Sequence, residues 1–155
     1  MTLRLPAEVA RAVREHLSRA YPEEGCGVLL GRESEVGREV VRAIMISNRN
    51  RDSRGNRYLI APEEFLRAER QGREAGLDVV GFYHSHPDHP ALPSAFDLEH
   101  AWPYYCYVIV SVERGAAGGL TSWRLRDDRS RFDSEPVELL QRPSPDDRDD
   151  PGEPR

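Results

Sequence analysis

Apolar residues recur along the chain with two different periods, and these periods separate predicted helices from predicted strands. A first helix is predicted near the N-terminus because four apolar residues fall three or four positions apart: Val9, Val13, Leu17 and Ala20. Pro6 suits the first turn of this helix. A second helix is predicted to begin at Pro62, which two glutamates follow, and to end at Gly76.

Short apolar runs bounded by turn residues predict the strands. These runs cover residues 26–31, 39–46, 58–61, 78–86, 104–112 and 120–126. Residues 47–57 form a polar loop with several arginines, residues 94–100 resemble a helix start, and residues 113–119 predict a turn. The alternation of helices and strands predicts an α/β (α+β) fold in one domain, with a mixed β-sheet flanked by helices.

Composition narrows the possible classes of protein. The 155 residues are enough for one domain with its own core, and the net charge of −5 comes without a basic block. We therefore expect no binding to nucleic acid or to anionic membranes. No apolar run of 18 residues and no signal-peptide core are seen, and the two cysteines fit a reducing cytoplasm. The folded domain is expected over residues 1–140, followed by a disordered acidic tail at 141–155.

The stretch GFYHSHPDHPALPSAFDLEH, at residues 81–100, contains the candidate chemistry. His84 and His86 are two positions apart on a predicted strand, so their side chains point to the same side of a sheet. Asp97 follows eleven positions after His86, and a proline-rich loop could bring it back to the histidines. Two histidines and one carboxylate, with a fourth position open to water, are typical of catalytic rather than structural zinc.

A purely structural interpretation of the same residues is also available. Ser94 and Asp97 match a capping box, with Ser94 as the N-cap and Asp97 at the third helical position. A His-x-His pair on a strand is commonly exposed or hydrogen-bonded without any metal. The two interpretations are compatible, because a capped helix start can hold Ser94 while its hydroxyl faces a metal.

These residues resemble the JAMM signature of the MPN/JAB metalloprotease family. The match consists of His84-Ser85-His86-Pro87, six residues, Ser94, two residues and Asp97. The family also has an upstream glutamate before a glycine-bounded strand, and EGCGVLLG resembles that element. Glu24 fits the pattern Glu-x-Cys-Gly better than its neighbour Glu23. The resemblance covers residues 5–126.

The resemblance implies a fold related to the cytidine deaminases and the activity of a zinc-dependent peptidase or isopeptidase. It implies that His84, His86 and Asp97 bind Zn²⁺, that Glu24 is the general base and acid, and that Ser94 steadies the oxyanion. The short chain is most similar to small prokaryotic members. Those act on ubiquitin-like or sulfur-carrier proteins with a Gly-Gly C-terminus, cutting either a peptide or an isopeptide bond.

Other residues near the motif are interpreted as structural. His89 lies in the stiff loop, His100 on the side of the third helix, and His16 on the first helix without an evident partner. Cys26 is interpreted as a core residue. The aromatic residues of the segment 102–107 are interpreted as packing groups, with a wall of the substrate groove as the alternative.

Three alternative functions compete with the carrier peptidase. A scaffold without catalysis would resemble family members that lack the metal ligands, although every ligand position is present here. A cell-wall peptidase would need an export signal or a wall-binding repeat, and neither is seen. A DNA-repair relative of the RadC type typically has His-Asn-His-Pro-Ser-Gly, whereas this chain has HSHPDH and an acidic balance.

Overall fold

The computed structural model describes residues 1–47 and 60–141. Their order along the chain is β1 (Thr2–Pro6), α1 (Ala7–Ala20), β2 (Cys26–Ser34), β3 (Gly37–Ile46), α2 (Pro62–Glu74), β4 (Asp78–Pro87), α3 (Ala95–His100), β5 (Cys106–Glu113), β6 (Ala116–Leu125), β7 (Phe132–Glu135) and β8 (Val137–Leu140). Among the helices of the described ranges, none combines the length and apolar character needed to cross a membrane.

All eight of these strands belong to one mixed sheet, in the order β7-β6-β5-β4-β2-β3-β1-β8. β4 lies near the middle, antiparallel to β2 and parallel to β5. The crossover between β4 and β5 contains α3, as a parallel connection requires a return path across the sheet. The motif strand is therefore paired on both sides and fixed in position.

Each face of the sheet is covered by helices. α1 packs its apolar face, which includes Val13 and Leu17, against residues such as Leu29 and Val108. On the opposite face, α2 packs through Ala68 into a second core, which also includes the segment that follows α3. Alternation of side chains along each strand supplies both cores. The structure confirms the predicted single α+β domain with a mixed sheet and flanking helices.

The predicted helices agree closely with the structure. Val9, Val13 and Leu17 are buried in α1, and Ala20 is half-buried at its end. α2 begins at Pro62 and ends just before Gly76, whose φ of +70° is the left-handed conformation that favours glycine at a helix end.

The strand predictions were wrong in several places. The segment 113–119 was predicted as a turn, but the turn occupies only Arg114 and Gly115, both with positive φ, and β6 begins at Ala116. A two-residue hairpin turn of this kind matches the twist of the strands, so the alanines and glycines after it are free to pair. β1, β7 and β8 were not predicted. Ile60 and Ala61 do not belong to a strand; Ala61 is the N-cap of α2.

Parts of some predictions fall outside the described residues. These are Tyr58 and Leu59 of the predicted strand 58–61, almost all of the polar loop, and the predicted tail after residue 141.

Candidate metal centre

Strand β4 presents both motif histidines on the sheet face that carries α2 and α3. Phe82 lies two positions earlier on the same face and is part of the apolar core beneath α2. His84 pairs with Cys26 of β2 on one side and with Ile109 of β5 on the other. His84 is fully buried and His86 is 6% exposed, so the two imidazoles project from a buried part of the sheet.

The side chain of Asp97 closes this group from α3. Its two carboxylate oxygens lie 3.1 Å from Nε2 of His84 and 3.0 Å from Nε2 of His86. The two Nε2 atoms are 3.2 Å apart. Within residues 1–47 and 60–141, these three side chains form the one group of histidine, cysteine and carboxylate residues whose ligand atoms converge closely enough for a metal ion. The structure thus brings together the three residues predicted as ligands.

The chemistry of these donors fits a divalent cation. Nδ1 of His86 lies 2.9 Å from the carbonyl oxygen of Pro90, which can only accept, so Nδ1 carries a proton and the Nε2 lone pair of neutral His86 is available to a cation. Protons on the two Nε2 atoms can satisfy the two contacts with Asp97 but not the contact between the Nε2 atoms, whereas a cation between them would be contacted by all three residues. Ligand atoms about 2.0–2.1 Å from a tetrahedral zinc ion lie roughly 3.3 Å from one another, close to the observed separations.

The pKa values of the three residues follow from burial and from their mutual contacts. Burial lowers the pKa of His84, against the opposing effect of its hydrogen bond to Asp97. Burial alone would lower the pKa of His86, but hydrogen bonds to Asp97 and to the Pro90 carbonyl together raise it. Burial would raise the pKa of Asp97, yet hydrogen bonds from both imidazoles hold it well below its usual range. Asp97 is therefore an anion, as a metal ligand must be.

The predicted capping box is present, and it positions the ligand. Ser94 Oγ accepts a hydrogen bond from the Asp97 backbone N–H at 3.0 Å, and the Ser94 N–H donates to Oδ2 of Asp97 at 2.9 Å. Oδ2 is the same oxygen that faces His86. The structural and the metal-binding interpretations therefore describe one arrangement. The exposed Ser94 hydroxyl still has its own proton to donate.

The loop between β4 and α3 is held by residues distant in sequence, which sequence analysis missed. Asp88 accepts hydrogen bonds from the Tyr21 hydroxyl at 2.7 Å and from the Arg114 N–H at 2.9 Å. Two further hydroxyls, those of Ser111 and Thr121, donate to backbone carbonyls of this loop. Because these anchors come from the C-cap of α1, from β5 and β6 and from the turn between them, no local sequence pattern could have indicated them.

Glu24 is buried just before the paired part of β2, whereas its neighbour Glu23 is exposed. Between Glu24 and Cys26 lies Gly25, whose N–H donates to Ser85 Oγ at 2.9 Å and whose carbonyl accepts from the Ser85 N–H at 3.0 Å. These bonds continue the β2–β4 register by one pair beyond Cys26 and His84. Sequence analysis named Ser85 only as part of the motif and gave it no role of its own.

The other histidines lie outside the ligand group. His89 is exposed in the loop, and His100 stacks on Phe96 with ring centroids 4.0 Å apart. His16 was predicted to lack a partner, and this was wrong because its Nδ1 lies 2.8 Å from the Tyr83 hydroxyl across the α1–sheet interface. Cys26 is fully buried, as predicted for a core residue.

Comparisons with known proteins agree with this geometry. The family model described as prokaryotic homologs of the JAB domain matches residues 6–126. The desampylase of Haloferax volcanii is 40% identical over 126 residues, covering 81% of this chain and 86% of that protein. The CysO-cysteine peptidase of Mycobacterium tuberculosis is 32% identical over 136 residues, covering 87% and 89%. The solution structure of a protein from Desulfitobacterium hafniense matches with a TM-score of 0.80 and 29% identity, over 92% of this chain and 95% of that one. The chain belongs to the prokaryotic JAB family of JAMM-type metallopeptidases.

Proposed function

We propose that this protein is a zinc peptidase that hydrolyses the amide bond after the C-terminal Gly-Gly of a ubiquitin-like or sulfur-carrier protein. The observation that carries the proposal is the convergence of two imidazole nitrogens and an anionic carboxylate in one buried group, formed by His84, His86 and Asp97. The folded domain is proposed to span residues 1–140, in keeping with the end of β8 at Leu140.

In this proposal His84, His86 and Asp97 would hold Zn²⁺. A zinc ion bound there supplies Lewis acidity, which lowers the pKa of water to about 7 and polarises a carbonyl. The chain's own contribution is to fix the three ligands. The carbonyl of Pro90 orients His86, and the capping box orients Asp97.

Glu24 is proposed to take a proton from the attacking water and to deliver it to the leaving amine as the C–N bond breaks. Its position supports this role. A Cβ on Gly25 would lie 2.8 Å from Leu17 Cδ2 and 2.9 Å from Ala20 Cβ, so the missing side chain of Gly25 faces α1. Side chains alternate along an extended chain, and Glu24 would then face the opposite side of the sheet, where His84 and His86 project.

Ser94 is proposed to donate its hydroxyl hydrogen to the oxyanion of the tetrahedral intermediate. The hydroxyl oxygen already accepts a hydrogen bond from the Asp97 N–H, which fixes its direction while leaving the hydrogen for the substrate. Ser94 is exposed, as a group that must contact substrate requires.

The substrate class is supported by the names of the relatives and by the JAMM resemblance. The mycobacterial relative is named as a peptidase for a CysO–cysteine bond, and the haloarchaeal relative as a desampylase. A Gly-Gly tail suits the site because it brings no side chain into the narrow approach to a buried metal centre.

The proposal is tested by mass-spectrometric cleavage assays on the zinc-loaded protein. Three substrates are compared: a Gly-Gly sulfur carrier extended by cysteine, an isopeptide conjugate of that carrier, and a cell-wall stem peptide. We expect cleavage after Gly-Gly that is lost with chelator and in Glu24→Gln, while Glu24→Gln still binds zinc stoichiometrically. Glu23→Gln is the matched control, since this exposed neighbour should keep full activity.

Each other outcome overturns a defined part of the proposal. Cleavage of the stem peptide alone would replace the carrier by a cell-wall substrate. Stoichiometric zinc without cleavage of any substrate would refute the Gly-Gly carrier as substrate. Absence of both zinc and cleavage would leave the chain as a scaffold.

A further inference from the structure

A cavity of about 560 Å³ opens on the same face of the sheet as the ligand group. It is lined mainly by aromatic side chains: Phe65, Phe82, Trp102, Tyr105 and Tyr107. Its volume falls within the range of about 300–1,000 Å³ that is typical of ligand sites. Nothing in the proposed chemistry of the metal ligands, Glu24 and Ser94 uses this cavity.

The cavity and the candidate metal centre share two elements, β4 and α3. Phe82 in its floor lies two positions before His84 on the same face of β4, which corresponds to a distance of roughly 7 Å along the strand. His100 on its rim lies three positions after Asp97, at the end of α3. For a substrate tail that approaches along this face in an extended conformation, about two or three residues would span the distance between the metal centre and the cavity.

One ring in the wall of the cavity faces solvent, while the backbone that carries it is hydrogen-bonded. Trp102 is 63% exposed, and its backbone N–H donates to the Tyr107 hydroxyl at 2.8 Å. The guanidinium of Arg129 lies 5.0 Å from the Trp102 ring centroid, and it also donates to the carbonyl of Ala101 at 2.9 Å. In the floor, Phe82 packs against Tyr105 and Tyr107 with ring centroids 5.1 and 5.6 Å apart. The exposed indole, with the Arg129 guanidinium over its ring, offers apolar surface to a partner.

We infer that this aromatic cavity is a substrate subsite for a bulky apolar side chain of the carrier tail, either the residue immediately before Gly-Gly or the one before that. The inference rests on the proposed function. Gly-Gly itself offers no side chain, so selective binding of the tail must come from residues upstream of it. The leaving group, which follows Gly-Gly, differs between substrates and can be a single amino acid. It therefore offers no feature that the enzyme could recognise in every substrate. The acyl side of the scissile bond is therefore the side that the cavity serves.

The test uses peptides that end in Xaa-Yaa-Gly-Gly-Cys, with Leu, Phe, Ala or Asp at either varied position. Cleavage is followed by mass spectrometry, and binding of N-terminally labelled peptides to Glu24→Gln is followed by fluorescence anisotropy. We expect Leu or Phe at one of the two positions to bind and react about tenfold better than Ala, as burial of one such side chain allows. This preference should fall below about threefold in Trp102→Ala and in Tyr105→Ala.

Leu92→Ala is the matched control, because Leu92 is an exposed apolar residue outside the lining of the cavity. It should keep the wild-type preference. Preference that survives in both Trp102→Ala and Tyr105→Ala overturns the subsite, as does preference set only by residues placed after Gly-Gly. The proposed function fails separately: if no peptide is cleaved but the anisotropy preference and its loss in the variants persist, the subsite stands without the peptidase.

Discussion

The two roles assigned to Ser94 can be separated by substitution. Its hydroxyl oxygen accepts one hydrogen bond, 3.0 Å long, from the Asp97 N–H at the start of a six-residue helix. Ser94→Ala removes this cap and should lower the free energy of unfolding by about 1 kcal/mol. For a chain of this size that corresponds to a fall in melting temperature of about 2–4 °C. Ser94→Gly should cost only a few tenths of a kcal/mol, because glycine is tolerated at the N-cap.

Turnover should respond differently from stability. Both Ser94→Ala and Ser94→Gly lack the hydroxyl donor, so both should lose about 10²–10³ in kcat, the usual effect of removing one oxyanion donor. Ser94→Thr keeps an acceptor for the cap and a donor for the oxyanion, and should retain most of both properties. The assays are thermal unfolding and single-turnover cleavage, with zinc content measured in each variant so that loss of metal is recognised. Wild-type kcat in both the Ala and Gly variants would show that Ser94 serves only as a helix cap.

Three further predictions concern the sheet that supports the site. Tyr83→Phe removes the hydroxyl that contacts His16 Nδ1 and should lower the free energy of unfolding by about 1–2 kcal/mol in urea titrations, less so in a His16→Ala background. Gly81→Ala would place a Cβ 2.2 Å from Sγ of Cys106 and 2.3 Å from its carbonyl oxygen, so the variant should lose about 3 kcal/mol or more. Adding Cys106→Ala should not restore stability, because the carbonyl remains, and a full rescue would contradict this reasoning. Burial raises the pKa of the Cys26 and Cys106 thiols to about 12 in the folded protein, whereas a thiol of the unfolded chain has a pKa of about 8.5. The free energy of unfolding should therefore be unaffected by these thiols below pH 8.5. It should fall as the pH rises from there toward 12, by up to about 1.4 kcal/mol per pH unit for each thiol. Urea unfolding between pH 7 and 9.5 should show this decline, and Cys26→Ala should make it shallower; an unchanged slope would refute it.

Several features of the site could be predicted because they depend on short-range backbone geometry. Two histidines at positions i and i+2 of a strand share a face in any sheet, and a serine three positions before an aspartate caps any helix that starts there. The histidine pair and the capping box therefore appeared in the structure as the spacing indicated. The JAMM resemblance added the choice of Asp97 as the third ligand, which spacing alone left open.

The strands toward the two edges of the sheet show where such prediction ends. β1 and β8 have five and four residues; β1 pairs in parallel with β3 and with β8, and β8 comes from the opposite end of the domain. β6 was shortened in the prediction because alanine and glycine resemble turn residues, although β5 provides a partner for them. Strand formation in these segments depends on hydrogen bonds to distant residues, and local propensity does not record such bonds.

The sequence by itself determined that His84 and His86 project from one face of a strand, where the helix that carries Asp97 starts, and which family these residues indicate. Only the tertiary structure decided how the site is supported. It brought Tyr21 and Arg114 to Asp88 from 67 and 26 positions away, and it joined aromatic residues of α2, β4 and β5 into one cavity beside the metal centre. The physical reason is that alternation and capping are fixed within a few residues of backbone, whereas these contacts depend on the strand order, which positions elements that are remote along the chain.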